Sequence, residues 1–183
     1  MSTTASRRGN HIQTYTGRHF WPLDPDPDQI DIVDIAHALS HICRFGGHVK
    51  KFYSVGQHCI LASTIPKSKI DQLRALLHDA SEAYIGDIVS PLKTGPGYSY
   101  IRNAEERLHE AISKRFKLGE NFLNIKVKEA DLKMLLAEAR DLMGGPSWME
   151  RYKDVIPFNQ KIEPWTPANV KSLYLGRFEE LTR

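Results

Sequence analysis

A chain of 183 residues, 41% hydrophobic and 26% charged, has the composition of one ordinary globular domain and leaves little room for a second. Its formal charge of +3 is small, and basic pairs such as Arg7-Arg8 and Lys50-Lys51 form no stripe, so nothing here favours binding to duplex nucleic acid. No apolar run is long enough to cross a bilayer, Met1–Thr14 lacks the apolar centre of a secretion signal, and Cys43 and Cys59 form no CxxC arrangement; a cytoplasmic protein with reduced thiols and no membrane segment is expected.

The chain should form a single domain over residues 1–183, with residues 1–14 flexible. The aromatic and proline-rich stretch Thr14–Asp28 reads as an ordered loop or short hairpin. From Ile30 to Cys43, the residues Ile32, Ile35, Leu39 and Ile42 recur at helical spacing and predict a first amphipathic helix, ended by Arg44-Phe45-Gly46-Gly47. Ser54 and Gln57 have the spacing of a capping box, which opens a second helix through His58. Ile70, Leu73, Leu76, Leu77 and Ala80 predict a third helix over 69–84, stopped by Gly86. The prolines and glycines of 87–98 predict a loop or broken helix. Ile101, Leu108, Ile112 and Phe116 mark a fourth helix, and Val127, Ala130, Met134 and Leu135 a fifth that carries Asp131 and Glu138. Thr166-Pro167 supplies a cap and a first-turn proline for a last helix through Leu181. With no convincing alternating pattern, the expected fold class is all-α, a compact helical bundle.

The chemistry concentrates in the adjacent pair His78-Asp79, with His58 upstream and Asp131 downstream. Two imidazoles and two carboxylates suit one divalent ion, Zn, Co, Mn, Fe or Mg, and leave positions open for water and substrate oxygens. Helical spacing puts Glu82 one turn from the pair, so its carboxyl can reach whatever His78 and Asp79 bind. A lone His-Asp dipeptide is more often a packed histidine and its partner. Several ionisable groups on converging apolar helices are costly to bury without a function, which favours a site. His37 and His41 are four apart, but no Glu follows His37 as an HExxH site requires, and they are read as edge or interface residues.

The order His58, His78-Asp79, Asp131 resembles the HD-domain phosphohydrolases. Within that superfamily, Ser54-Val55-Gly56-Gln57-His58, Leu76 through Tyr84, Gly86-Asp87-Ile88 and Pro91-Leu92-Lys93 are similar to the 5′-deoxynucleotidase branch, which includes phage enzymes acting on dATP. The resemblance spans most of Phe45–Glu138. It implies that His58, His78, Asp79 and Asp131 bind the metal, that Glu82 is the catalytic acid or base, and that Asp87 holds or activates the substrate. It also implies a homo-oligomer acting on a deoxynucleotide, dNTP or dNMP. The bacterial branch has an Arg-Trp pair upstream of the first His, where this chain has Arg44-Phe45; Arg44 then faces phosphate and Phe45 the base. Lys93 and Lys128 are further candidates for phosphate, and Ile88 and Pro91 for the base pocket. Tyr174 and Phe178 on the last helix are available for assembly. The alternatives are a non-catalytic module that binds metal or nucleotide, or a hydrolase of cyclic or hyperphosphorylated nucleotides.

Overall fold

A computed structural model describes residues 7–93 and 95–183. Among them the architecture is largely helical: α1 (Ile32–His41), α2 (Val55–Ala62), α3 (Lys69–Leu77), α4 (Glu82–Ile85), α5 (Ser90–Lys93), α6 (Ser99–Phe116), α7 (Ile125–Leu142) and α8 (Pro167–Thr182). Short polar side chains start the main helices by accepting otherwise unpaired backbone N–H groups: Asp31 for α1, Ser54 for α2, Ser68 for α3, Asn124 for α7 and Thr166 for α8. The Asp31 cap is why α1 begins two residues later than the apolar spacing predicts. Only half of the expected capping box forms at α2. Ser54 accepts from Gln57 N, but the Gln57 side chain turns away to bind Glu163 O and Trp165 N at 2.8 Å each, fastening the chain before α8.

Strands β1 (Ile12–Gln13) and β2 (His19–Phe20) form a small antiparallel ribbon, with Ile12 opposite Phe20. The hairpin therefore starts earlier than Thr14, and it seats Phe20 in the core, stacked on Tyr84 at 4.0 Å. Residues 7–14, expected to be flexible, are tied to their neighbours: Arg7 pairs with Asp24 at 3.1 Å and its guanidinium lies 4.7 Å from the Trp21 ring. Residues 1–6 of that expectation lie outside the described residues.

Helix α2 is the centre of the packing. It lies against α1, α3, α7 and α8, and all its residues but Leu61 are buried. Gly56 permits this crossing, because a β-carbon there would meet Val170 Cγ1 at 2.8 Å and the Leu39 carbonyl carbon and oxygen at 3.2 Å. Helix α8 closes the other side. The Tyr174 hydroxyl donates to Leu76 O at 2.6 Å, and Arg177 donates to Ser63 O, Ser63 Oγ and Gln72 Oε1. The α8 face expected to be free for assembly thus turns inward: Tyr174 is fully buried and Phe178 packs edge-on against Phe116.

The third predicted helix is not continuous to Tyr84. Carbonyls that would continue it are taken by other donors: His78 Nδ1 binds Ala75 O, Tyr174 binds Leu76 O, and Ala80 N binds Leu77 O. The chain consequently tightens into three-residue turns through 82, with Glu82 N bonded to Asp79 O at 3.0 Å. The segment 87–98 holds α5 and a turn of 3₁₀ helix at Pro96–Tyr98, and Arg102 on α6 anchors it through Lys93 O at 2.6 Å and Gly95 O at 3.1 Å. No helix among the described residues is long and apolar enough to cross a membrane.

Candidate metal centre

The end of α3, the middle of α2 and the first half of α7 bring four donor side chains together. His58 Nε2 and His78 Nε2 are 3.2 Å apart. Asp79 Oδ2 lies 3.3 Å from His78 Nε2 and 3.8 Å from His58 Nε2. Asp131 Oδ1 lies 3.2 Å from His58 Nε2 and 3.8 Å from His78 Nε2. His58, His78 and Asp79 each offer a donor atom within 4.8 Å of the others, a set that can hold a metal ion. Donors about 2.0–2.2 Å from one ion stand roughly 3–3.5 Å apart when adjacent, which these spacings approach.

The outer nitrogens explain why the inner ones face each other. His58 Nδ1 sits 2.6 Å from Glu138 Oε1, and His78 Nδ1 sits 2.8 Å from Ala75 O. Carboxylates and carbonyls only accept, so both Nδ1 atoms donate and both Nε2 atoms aim inward. At 3.2 Å, two inward lone pairs repel unless positive charge lies between them. Burial and Arg44 oppose a charge on His58, but Glu138 and Asp131 outweigh them and raise its pKa. For His78, burial is likewise outweighed, chiefly by Asp79. Protons or a metal can supply the missing charge, and a metal would displace the protons.

The wider electrostatics point the same way. Asp79, Glu82, Asp131 and Glu138 act on Arg44, and Arg44 and Lys93 act on Glu82 and Asp87, so one network of carboxylates and cations surrounds the place where a metal would replace the imidazole protons. Burial works to raise Glu138, yet Arg44, His58 and Tyr53 hold its carboxyl below the usual range. Burial pushes the Cys59 thiol up to about 11, so it packs 4.0 Å from His78 Nδ1 as a neutral group and offers no thiolate.

Glu138 and Tyr53 are parts of the site that the sequence reading did not assign. Tyr53 Oη donates to Glu138 Oε1 at 2.8 Å. The available signal was an ionisable residue two turns after Asp131, on the same face, inside the apolar run Leu136-Ala137-Glu138-Ala139. Glu138→Gln is expected to weaken metal binding about 10- to 100-fold, measured by competition with a chromogenic chelator. An unchanged affinity would show that His58 does not depend on this carboxylate.

The other expected residues divide into those near the cluster and those away from it. Glu82 is buried beside it, with Oε1 3.8 Å from Lys93 Nζ and Oε2 lacking any partner among the described residues. Burial, then Asp79 and Asp87, push the Glu82 carboxyl well above the ordinary carboxylate range. Asp87 is within electrostatic reach of Arg44 and Asp79, and burial is the main cause of its raised pKa. Lys93 is half-buried and its strongest contact is with Glu105 Oε1 at 2.8 Å. Arg44, expected to face phosphate, instead donates to Glu138 Oε2 at 3.2 Å and Asp79 Oδ2 at 3.3 Å and is almost enclosed. Phe45 follows in a left-handed conformation, φ 58°, that costs a non-glycine residue strain, with its ring 5.5 Å from the Arg44 guanidinium. Ile88 is half-buried and Pro91 is exposed on α5. Lys128 is exposed, and no hydrogen bond or ion pair joins its side chain to the cluster.

Fold and site together define the class: a largely helical protein with a cluster of histidines and aspartate, His58, His78 and Asp79, that can hold a metal ion. The chain belongs to the family of YfdR, an uncharacterized protein of Escherichia coli strain K12, to which it is 38% identical over 176 residues, 93% of this chain and 95% of YfdR. The uncharacterized protein RCAP_rcc00048 of Rhodobacter capsulatus is 34% identical over 140 residues, covering 70% of this chain and 71% of that protein. No protein-family model matches the chain.

Proposed function

We propose that this chain is a metal-dependent phosphohydrolase of the HD type, releasing the deoxynucleoside from the 5′ phosphate or phosphates of a 2′-deoxynucleotide, and that it works as a homo-oligomer. The single observation that carries the reading is the pair of inward Nε2 atoms 3.2 Å apart, flanked by Asp79 and Asp131 and followed at one turn by the buried Glu82.

A divalent ion held by His58, His78, Asp79 and Asp131 would lower the pKa of a water and draw charge from the phosphoryl oxygens. The protein's own residues do the rest. His58 and His78, fixed by Glu138 and Ala75 O, keep their Nε2 donors aimed at one point. Glu82 is the acid or base: its unpartnered Oε2 holds or takes the proton exchanged with water or the leaving O5′. Lys93 stands between Glu82 and Glu105 and offers an ammonium to phosphate oxygens. Arg44 holds Asp79 and Glu138 in place and helps to keep the Glu138 carboxyl below the usual range. Asp87 adds a second carboxyl for orienting substrate.

The test is a panel of dNTPs, dNDPs and dNMPs, dATP and dAMP included, with Mn, Co, Zn and Mg supplied in turn and products separated by chromatography. Deoxynucleoside release with at least one metal is expected. No turnover of any deoxynucleotide sinks the proposal and leaves a non-catalytic metal-binding module.

A further inference from the structure

Helix α6 carries a polar ridge beside its buried apolar residues Ala104, Leu108, Ala111 and Ile112. Arg102, Glu105 and His109 follow one another at steps of three and four residues, so they share a face. All three bind the stretch that follows His78-Asp79. His109 Nε2 lies 3.1 Å from Ser81 Oγ, in the turn between Asp79 and Glu82. Arg102 donates to Lys93 O at 2.6 Å and to Gly95 O at 3.1 Å, and Glu105 Oε1 accepts from Lys93 Nζ at 2.8 Å.

One helix thus grips Lys93 twice, by its carbonyl and by its ammonium. Lys93 ends α5, a helix of a single turn that has little stability of its own, and its four-carbon stem is costly to order. Glu105 meets that cost before any ligand arrives. Burial works against the Lys93 charge, and Glu105 is the main group that sustains it. Glu105 takes one of the three ammonium donors, while Glu82 Oε1 at 3.8 Å is beyond hydrogen-bond length, so donor capacity is left for a phosphate oxygen.

We propose that Glu105 is a positioning residue, which holds the Lys93 ammonium ready for a nucleotide 5′ phosphate and keeps it off Glu82. The inference rests on the reading of the metal centre as a deoxynucleotide site. Glu105 touches no substrate and acts only through Lys93. An ion pair between a lysine and a helix glutamate prepares the lysine for phosphates in the same way in protein kinases. Without that pair, the other carboxylate within ion-pair reach of the ammonium among the described residues is Glu82, and a lysine drawn onto it is withdrawn from phosphate.

The test is a double-mutant cycle read as binding. Wild type, Lys93→Met, Glu105→Gln and the double variant, each supplied with a divalent metal, are titrated by calorimetry with a phosphonate analogue of dAMP that resists hydrolysis. Lys93→Met is expected to weaken binding about tenfold or more, and Glu105→Gln about three- to tenfold. In the Lys93→Met background, Glu105→Gln should change the affinity by less than about twofold, because the group it acts through is gone. A merely structural Glu105 would cost the same in both backgrounds, and that result overturns the inference. So do wild-type or tighter affinity in Glu105→Gln, wild-type affinity in Lys93→Met, and no binding by the wild type. If Glu105→Gln loses its folded spectrum, Glu105→Asp, which draws the carboxylate back by one methylene, takes its place under the same criteria. Turnover with equal losses in both backgrounds defeats this inference alone; a coupled cycle without turnover defeats the hydrolase alone.

Discussion

Glu82→Gln is expected to lower deoxynucleotide turnover by about 100- to 10,000-fold, the usual range for losing a positioned acid or base. Metal content should stay at the wild-type level, because the substitution leaves His58, His78, Asp79 and Asp131 untouched. The change preserves shape and removes only the transferable proton. Glu82 is buried against Lys93 and reaches the cluster from the turn after Asp79, so an amide there disturbs little of the packing. Steady-state kinetics with parallel elemental analysis would check both halves. Full activity in the variant would remove Glu82 from its proposed role, whatever the substrate proved to be.

His78→Ala should have the other large effect, on metal-linked stability. A ligand that binds only the folded state at 100 times its dissociation constant adds about 2.7 kcal/mol, or roughly 5–10 °C in melting temperature for a chain of this size. Wild-type protein should show that rise with a bound divalent metal and lose it with a chelator. His78→Ala should show no metal-dependent rise, because one of the two inward nitrogens is gone. The comparison is made within each variant, with and without metal, so the cavity left by the missing ring does not enter the difference. A metal-induced rise of wild-type size in His78→Ala would mean that the ion binds elsewhere. Both results bear on whether the cluster holds a metal at all, which the turnover panel alone does not resolve.

The site was partly legible because its donors are rare residue types in apolar surroundings. His58 on a helix opened by Ser54, and His78-Asp79 closing the run Leu76-Leu77, stand out in the chain, and the structure brings their donor atoms together. Glu138 was legible only as part of a helical pattern, since nothing in the spacing says that a glutamate will orient a histidine 80 residues earlier. Arg44 illustrates a different limit. A guanidinium suits phosphate and carboxylate equally, and only the fold shows that two carboxylates reach it first. For Lys128, spacing placed a lysine one turn before Asp131, while in the folded chain it is exposed.

What the sequence determined by itself was local: the apolar stripes, the capping residues and the identity of the groups able to ligate a metal, all of which follow from side-chain chemistry over a few residues. Tertiary structure decided what depends on distant partners. Tyr174, almost a hundred positions away, captures Leu76 O and helps to end α3 at Leu77, before the turn that carries Asp79 and Glu82. Glu138 and Ala75 O set which imidazole nitrogens face inward. The physical reason is that hydrogen bonds within a helix are settled by neighbours, whereas the bonds that break one or orient a side chain compete across the whole core.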